Sequence, residues 1–505
     1  MSHYDNAGKG GLVIDGTGSE PYEADVAISG DKIAHIGRVP EDKARRVIRA
    51  QGLAVAPGFV DIHSHSDYHL FLNPEASSSL MQGVTTEIGG NCGYSAAPIF
   101  GEAYRERLLL YKETFGFEPG WRSIPEYFQA LKEVRPAINF ALLMGHNTIR
   151  ASVMGNRAEK APEAALHEMA RKVKEGTTQG AFGLSTGLIY IPACFSDTKE
   201  LEVLGRALAG AGGVFTYHLR DEGAGLIEAI KESLMVAEAT GVSTQISHLK
   251  TSGRENWHKL DSAFALMEEA IERGLDVSCD RYPYTASNTG LMALLPRWAL
   301  EGSREAWLAR LKDEATRDKI VREVEAKAPR EDYFENICIA EATTDKNKIY
   351  EGMSLAEVAR RRGLSPAKVV TDLLLEEEFR ITIIIHSMSE ENLRRIMRKP
   401  YVMIGSDSGC RALTGPLAKG RVHPRIFGTF ARILGRYVRE EKVLDLPTAI
   451  RKMSLDACKK MGIRRRGRIK EGFYADITIF DPDEVIDTAT YENPFQHPRG
   501  ISWVI

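Results

Sequence analysis

Short apolar runs alternate with amphipathic stretches through residues 56–466, and this alternation limits how the chain can fold more than any other feature. Apolar runs without polar alternation are typical of strands that are buried on both faces. Stretches such as APEAALHEMARKVKEG (161–176) have helical periodicity. Repeated strand-then-helix units predict a parallel sheet with helices outside it, and eight such units close a barrel. We therefore predict an α/β protein whose main domain is a (β/α)8 TIM barrel.

The number of strand candidates exceeds what a barrel needs by one. The nine candidates are LAVAPGFVDIH, VTTEIGG, INFALLMG, AFGLST, GVFTYH, VSTQISH, LDVSCD, ITIIIH and YVMIGSD. We expect ITIIIH (381–386) to lie outside the barrel. A charged, helical region at about 290–350 interrupts the alternation directly after a strand candidate, so we predict an insertion there. It could be a lid over the barrel mouth or an ordinary surface-packed segment.

Both chain ends are rich in short strand-like runs. Residues 1–55 contain alternating runs around a Gly30-Asp31 turn, and residues 467–505 contain a matching set. We predict that the two ends form one small β-sandwich and that residues 56–466 form the barrel. The run YDNAGKGG (4–11) is weakly strand-forming, so we expect the edge of the small domain to be poorly defined there.

Composition restricts the partners and the compartment. The net charge is −3, from 66 basic and 69 acidic residues, which favours neither a nucleic-acid partner nor a membrane surface. We find no apolar run of the roughly 18 residues that span a bilayer and no secretory signal pattern. The six cysteines are scattered, without a CxxC pair, which favours free thiols in a reducing compartment. We therefore expect a cytoplasmic protein.

Polar side chains with metal-binding chemistry follow several of the predicted barrel strands. His63 and His65 lie in DIHSHSD, where alternate residues share a face. His218 ends GVFTYH, His248 ends VSTQISH and Asp407 ends YVMIGSD. One such histidine would more often be structural, but the carboxyl ends of barrel strands meet at one mouth. Their joint placement predicts a metal site there.

Cys92 adds a thiol to this set. It lies in GGNCG, just after the second strand candidate, and thiolate is a strong zinc ligand. Free cysteines commonly fill core space instead, but the flanking glycines indicate a close backbone turn rather than packed core. Zinc is the favoured metal, while the ligand types leave iron, manganese and cobalt open.

A series of motifs in this order resembles the D-aminoacylases and N-acyl-D-amino-acid deacylases of the amidohydrolase superfamily. The series is APGFVDIHSHSD, QGVTTEIGGNCGYS, GAFGLSTGLIY, ISHLK, DRYPYTAS, IGSD and HPRIFGTFARIL, and with the two β-rich ends it covers nearly the whole chain. Many amidohydrolases carry a carboxylated lysine on the fourth strand, where this chain has Ser185 in GLSTG. The D-aminoacylase branch uses a cysteine from the second strand, which Cys92 would be.

The resemblance implies zinc-dependent hydrolysis of the amide bond of a small-molecule N-acyl-D-amino acid. By motif, Cys92, His218 and His248 would hold a tight zinc, and His63 and His65 would form a second, weaker site that can be empty. Asp407 would be the general base. The residues implied in substrate binding are Lys250, Tyr282, Arg425 and Asn288, with Tyr284 a rival to Tyr282.

Other activities stay open from the sequence. A related enzyme could open a cyclic amide such as a hydantoin or dihydropyrimidine, although the missing fourth-strand lysine argues against it. The barrel could also be a non-catalytic scaffold, or the zinc purely structural. The segment 408–424 is longer than expected and places Cys410, Arg411 and Lys419 near the mouth. It could shift side-chain preference toward acidic substrates or be an exposed loop.

Overall fold

Strands and helices of an α/β protein account for most of residues 3–505, the part of the chain that the computed structural model describes. The strands are Tyr4–Val13 (β1), Tyr22–Ser29 (β2), Lys32–Gly37 (β3), Ala44–Arg49 (β4), Ala54–Pro57 (β5), Phe59–Asp61 (β6), Val84–Gly89 (β7), Asn139–Gly145 (β8), Gly183–Gly187 (β9), Val214–His218 (β10), Ser243–Ile246 (β11), Val277–Arg281 (β12), Ala286–Gly290 (β13), Ile337–Glu341 (β14), Thr382–His386 (β15), Val402–Ile404 (β16), Ile477–Phe480 (β17) and Ile501–Val504 (β18). The α-helices are His69–Leu72 (α1), Ser77–Leu80 (α2), Gly101–Phe115 (α3), Ile124–Val134 (α4), His146–Met154 (α5), Glu163–Thr178 (α6), Thr198–Ala209 (α7), Leu226–Thr240 (α8), Leu260–Glu272 (α9), Arg304–Lys312 (α10), Glu314–Ala326 (α11), Asp345–Lys348 (α12), Leu355–Arg362 (α13), Pro366–Glu376 (α14), Glu390–Arg398 (α15), Arg425–Arg432 (α16), Leu446–Lys452 (α17) and Leu455–Lys460 (α18). A π-helix, Ile433–Glu440, continues α16.

The central sheet is a parallel barrel. Its order is β6-β7-β8-β9-β10-β11-β12-β16, and every neighbouring pair in it is parallel. A parallel bridge between Ser64 and Ser408 brings the first and last strands together. Strands such as β7 and β10 are buried along their whole length, which explains their continuous apolar character. The predicted (β/α)8 barrel is confirmed, and its strands are eight of the nine candidates.

The chain ends form a separate mixed sheet, which confirms that one small β domain is built from both of them. Its order is β18-β17-β5-β1-β2-β3, with β4 also paired to β1. The expectation that YDNAGKGG would be poorly defined is wrong, because β1 is a ten-residue strand at the centre of this sheet. Low strand propensity is overridden here because β2 and β4 supply hydrogen-bonding partners on both edges. A register shift between Gly8 and Gly11 accommodates the glycines.

A segment of about a hundred residues leaves the barrel after β12, and we call residues 286–386 the excursion. It contains an antiparallel sheet of order β13-β15-β14 and the helices α10 to α14, which enclose a hydrophobic core that Ile191 and Cys194, from the segment after β9, help to fill. The candidate ITIIIH is β15 of this sheet, so its predicted place outside the barrel is confirmed. The helical stretch predicted at 290–350 lies inside the excursion, which begins before that range and ends after it.

Two further expectations concern compartment and membrane. The six cysteines are all free thiols, and five of them are buried. Within residues 3–505, none of the helices combines the length and the apolar character that crossing a bilayer requires.

Candidate functional site

The carboxyl ends of the barrel strands open into a cavity of about 1100 Å³. The strand ends supply a thiol, imidazoles and a carboxylate to this mouth. His63 and His65 follow β6, Cys92 follows β7, His218 ends β10, His248 follows β11 and Asp407 follows β16. The structure therefore brings the predicted residues to one mouth, where they fall into two groups of candidate ligands. His63, Cys92, His248 and Asp407 form one group, and His218, His248 and Glu222 form the other.

Their donor atoms form one continuous chain of short contacts. His218 Nδ1 lies 2.9 Å from His248 Nε2, which lies 3.4 Å from Cys92 Sγ. Cys92 Sγ lies 3.3 Å from His63 Nε2, which in turn lies 3.4 Å from Asp407 Oδ1. Cys92 thus sits between the histidines predicted for the tight metal position and those predicted for the weaker one.

The backbone at this mouth is strained. Cys92, His248 and Asp407 have φ values of +52°, +37° and +51°, a region that non-glycine residues rarely adopt. Such strain persists only where the surroundings over-determine it, and it concentrates at functional sites. Part of that constraint is the close approach of β9 to the Cys92 turn, where a Cβ on Gly187 would overlap the Cys92 carbonyl oxygen.

The electrostatics of the cluster favour a thiolate. Burial alone would raise the pKa of the Cys92 thiol, but the neighbouring His63 and His248 hold it well below its usual value. Burial lowers the pKa of His218, which keeps that imidazole neutral. Thiolate and neutral imidazole are the forms in which these side chains bind metal. Although burial favours neutral rings, Asp280 and Cys92 raise the pKa of His63, and Glu222 and Cys92 raise the pKa of His248. These two imidazoles would therefore lose a proton on binding metal.

Two carboxylates that the sequence analysis missed orient the histidines. Asp280, near the end of β12, accepts hydrogen bonds from His63 Nδ1 (3.1 Å) and from the His248 backbone N–H (2.9 Å). Glu222 Oε1 lies 2.9 Å from His248 Nδ1. Carboxylates in this position fix the ring orientation and raise the basicity of a ligating histidine. The position of Asp280 in LDVSCD was a usable signal, since it too lies at a barrel strand end.

Asp407 is ionised and held from two sides. Its Oδ2 accepts from Arg425 Nη1 at 2.7 Å and its Oδ1 lies 3.0 Å from His65 Nε2. Burial would raise the pKa of Asp407, but the positive charges of Arg425 and His248 hold it well below its ordinary value. The hydrogen bond to Asp407, and a further one to Cys92, outweigh burial and raise the pKa of His65 to about 9.

The predicted substrate-binding residues line the same cavity but differ in how they are engaged. Lys250 Nζ is buried between Glu222 Oε1 (2.5 Å) and His248 Nδ1 (2.7 Å). The Tyr282 hydroxyl is buried without a hydrogen-bond partner, while its ring lies 4.6 Å from the Arg425 guanidinium. Asn288 Nδ2 donates to the Ile383 carbonyl at 2.9 Å. Arg425 pairs with Asp407, as described above.

Tyr284, the rival to Tyr282, faces away from the cavity. Its hydroxyl donates to Asp487 at 3.3 Å, and it does not line the cavity. Tyr190 is a cavity residue that sequence reasoning did not single out. Its ring meets the His218 ring edge-on at 4.9 Å, and its hydroxyl lies 3.1 Å from Thr289 Oγ1 in the excursion.

The donor set fits a zinc ion. Ligand atoms about 2.0–2.3 Å from a tetrahedral zinc lie about 3.3–3.8 Å from one another. The contacts of Cys92 Sγ with His63 and His248 are of this length, and His63, Cys92, His248 and Asp407 offer ligand atoms that all lie within 4.8 Å of one another. His218 Nε2 is buried without a hydrogen-bond partner, so this ring also has an uncommitted nitrogen.

Comparison with known proteins agrees with this geometry. The family model described as "Amidohydrolase family" matches residues 46–497. The chain belongs to the amidohydrolase family. Within it, this amidohydrolase falls in the D-aminoacylase branch. It is 33% identical to a D-aminoacylase of Alcaligenes xylosoxydans xylosoxydans, over 97% of this chain and 91% of that one.

Two further relatives narrow the comparison. This amidohydrolase is 34% identical to an N-acyl-D-glutamate deacylase of the same organism, over 98% of this chain and 91% of the relative. Its fold matches the crystal structure of N-acyl-D-glutamate deacylase from Bordetella bronchiseptica with a TM-score of 0.85 and 32% identity, over 100% of this chain and 95% of that one. That structure was solved with zinc and a phosphonate inhibitor, a mimic of the reaction tetrahedral intermediate.

Proposed function

We propose that this amidohydrolase uses zinc to hydrolyse the linear amide bond of N-acyl-D-amino acids, releasing a carboxylate and a free D-amino acid. The observation that carries the proposal is the contiguous cluster of Cys92, the histidines and Asp407 at the barrel mouth. That cluster occurs in a chain related over nearly its full length to D-aminoacylases. The unpaired cysteines support our expectation that the enzyme works in the cytoplasm.

The residues divide into two metal positions. Cys92, His218 and His248 would hold the tight zinc, and His63 with His65 would form the weaker position beside Asp407. Zinc bound here would polarise the substrate carbonyl and lower the pKa of water toward about 7. Glu222 and Asp280 would keep the histidine rings oriented toward the metal.

Asp407 is suited to proton transfer. A general base must be ionised and within hydrogen-bond reach of the proton it takes. Arg425 and His65 hold the Asp407 carboxylate in one orientation at the mouth, and its lowered pKa keeps it ionised at neutral pH. It would take a proton from the attacking water and pass it to the departing nitrogen, since the amine is a poor leaving group until it is protonated.

The substrate α-carboxylate would be bound by Lys250, Tyr282 and Arg425. Tyr282 supports this role because its buried hydroxyl has no partner and can donate to a ligand. Arg425 presents a planar fork that suits a carboxylate, with its Nε also buried and unpartnered. Asn288 would contribute from the excursion. When the carboxylate and the scissile amide are both held in place, only one face of the α-carbon can lie against the cavity wall. The enzyme would select the D-enantiomer in this way.

The test is a comparison of substrates by the purified, zinc-loaded enzyme. We expect N-acetyl-D-methionine to be hydrolysed, and N-acetyl-L-methionine and the methyl ester of the D-substrate to react poorly. The ester removes the negative charge that Lys250, Tyr282 and Arg425, the carboxylate clamp, would bind, and adds only a methyl group, so it is the control for the acid. Equal rates on D and L, or on acid and ester, would contradict the clamp. Hydrolysis of a hydantoin in place of the linear amide would contradict the proposed reaction.

A further inference from the structure

Ser185 is a buried serine on β9 to which the proposed reaction gives no role. It lies on the fourth barrel strand, at the position where many amidohydrolases carry a carboxylated lysine. Zinc in proteins is bound by cysteine, histidine and carboxylate side chains, so the serine hydroxyl does not replace that lysine as a ligand. Its hydrogen bonds lead instead to the turn that carries Cys92.

The Ser185 hydroxyl binds the backbone on both sides of Cys92. Its Oγ donates to the Gly90 carbonyl oxygen at 2.5 Å, and it accepts a hydrogen bond of 2.9 Å from the Gly93 backbone N–H. That N–H belongs to the peptide bond that joins Cys92 to Gly93. One hydroxyl therefore closes the turn around the cysteine and holds the peptide bond that follows it.

The other side of the same peptide bond is held by packing. Gly187 follows Ser185 by two residues on β9, so the two positions share a face of the strand. A Cβ on Gly187 would lie 2.2 Å from the Cys92 carbonyl oxygen, so the two backbones are in close contact. The strand β9 thus holds both the carbonyl and the N–H of the peptide bond after Cys92. The orientation of this peptide bond corresponds to the ψ angle of Cys92, one of the two angles that place its side chain.

This support matters because the Cys92 backbone is strained, with a φ of +52°. A residue other than glycine keeps such a conformation only where its surroundings over-determine it. Asp67 holds the two ends of the turn, since its carboxylate accepts from the Gly90 N–H at 2.8 Å and from the Ala96 N–H at 3.1 Å. Ser185 holds the middle. Without its hydroxyl the turn can relax toward negative φ, which would move the thiol away from the histidines.

From the two hydrogen bonds and the strained turn, we propose that Ser185 is a positioning residue that holds the Cys92 thiolate where it binds zinc. This inference rests on the proposed function, in which Cys92 is a zinc ligand. The fourth strand supplies a ligand in amidohydrolases that carry the lysine, whereas here it supports the ligand that the second strand supplies. Groups that orient a metal ligand commonly change metal affinity about ten- to a hundredfold.

Two substitutions with the same shape, which differ in whether they keep a hydroxyl, test the proposal. Ser185→Thr keeps the oxygen, and Ser185→Val places a methyl group where that oxygen would be. Any crowding by the larger side chain is common to both proteins. We would measure the zinc affinity of each metal-free protein by competition with a chromophoric chelator. The Ser185→Val protein should bind zinc about ten- to a hundredfold more weakly than the Ser185→Thr protein.

A spectroscopic measurement separates positioning from general support of the fold. With Co²⁺ in place of zinc, the charge-transfer absorption between thiolate and cobalt reports the bond to Cys92. This absorption should be weaker or shifted in the Ser185→Val protein, while the metal-free Thr and Val variants should unfold at similar temperatures. Equal zinc affinities and equal cobalt spectra, with only a lower unfolding temperature for Ser185→Val, would overturn the proposal.

Ser185→Ala makes the same comparison with wild type if the Ser185→Val protein does not fold. The alanine substitution removes the oxygen without adding a methyl group, so it should weaken zinc binding in the same way. If neither Ser185→Val nor Ser185→Ala folds while Ser185→Thr does, the hydroxyl is needed by the fold as a whole, and the proposal is overturned.

The matched control is Ser278→Ala. Ser278 lies on β12 of the same barrel, and its buried hydroxyl has no hydrogen-bond partner within residues 3–505. Its removal should leave the zinc affinity and the cobalt spectrum unchanged, and a loss equal to that of Ser185→Ala would overturn the proposal. If the wild-type cobalt protein lacks the thiolate absorption, the proposed metal site fails together with this inference. If wild type shows it and Ser185→Ala matches wild type in spectrum and zinc affinity, this inference fails alone.

Discussion

The barrel mouth and the excursion border the same cavity but are built differently. The mouth presents side chains from the ends of neighbouring parallel strands, and buried carboxylates such as Asp280 hold them in place. The excursion has its own antiparallel sheet and a hydrophobic core distinct from that of the barrel, completed by Ile191 and Cys194 from the segment after β9. It lines the cavity with residues such as Asn288 and Tyr333 but supplies none of the members of the thiol–imidazole cluster.

This difference suggests a division of labour. Reacting groups need fixed positions, and adjacent strand ends in a hydrogen-bonded barrel provide them. A separately packed unit can change the shape of the cavity without disturbing those positions. Substitutions at the mouth should therefore abolish activity, while substitutions in the excursion should adjust substrate affinity.

The strongest test of the mouth is Cys92→Ser. Removing the thiolate should release the tight zinc and lower kcat by at least about a thousandfold, because the metal supplies several kcal/mol of transition-state stabilisation. Elemental analysis and steady-state kinetics measure the two effects. Cys194→Ser is the matched control, since Cys194 is also a buried cysteine lining the cavity but lies outside the metal cluster. Full metal content and activity in Cys92→Ser would show that the thiol has no part in the site.

Asp407→Asn separates proton transfer from metal binding at the same mouth. The amide keeps the size of the side chain and loses the basic oxygen, so kcat should fall at least about a hundredfold with zinc content nearly unchanged. Asp221→Asn is the control, because Asp221 also lines the cavity and its Oδ1 only accepts the Gly223 backbone N–H. Near-normal turnover in Asp407→Asn would rule out the role of general base.

The sequence predicted the residues at the strand ends of the barrel mouth better than the contacts that depend on loops and side-chain partners. Strand-end residues such as His218 and Asp407 were predictable because a barrel brings strand ends together whatever the loops between them do. Glu222 was not, since it lies in a loop whose path depends on tertiary packing. Nor was the engagement of Arg425 with Asp407, because a motif identifies a residue type without its partner. The strand β1 was underestimated, since propensity does not include the hydrogen bonds that β2 and β4 supply.

Arg425→Ala sharpens the comparison by testing two roles of one mouth residue. As part of the clamp, Arg425 should favour the free acid over the methyl ester, and its loss should narrow that gap about tenfold. As the ion-pair partner of Asp407, Arg425 lowers the pKa of the Asp407 carboxyl. Its removal should therefore raise the Asp407 pKa and move the acid limb of the pH–kcat/KM profile to higher pH. Arg432→Ala, at the other end of α16 and paired with Asp487, removes an equal charge outside the cavity and should change neither. If Arg425→Ala leaves the preference for acid over ester unaltered but shifts the pH–kcat/KM profile, Arg425 has only the electrostatic role.

The smallest effect should come from the excursion, with Asn288→Ala. The Asn288 side chain donates to the Ile383 carbonyl and so joins β13 to β15 at the cavity wall. If its remaining amide oxygen or N–H contacts substrate, losing one hydrogen bond of about 0.5–1.5 kcal/mol should raise KM about two- to tenfold. The value of kcat should change little, because none of the groups in the metal cluster depends on this side chain.

Asn336→Ala is the control, since Asn336 also lies in the excursion, lines the cavity and donates its amide to a backbone carbonyl, that of Asp332. A hundredfold fall in kcat for Asn288→Ala would mean that the excursion takes part in the chemistry, and the division between the two regions would fail.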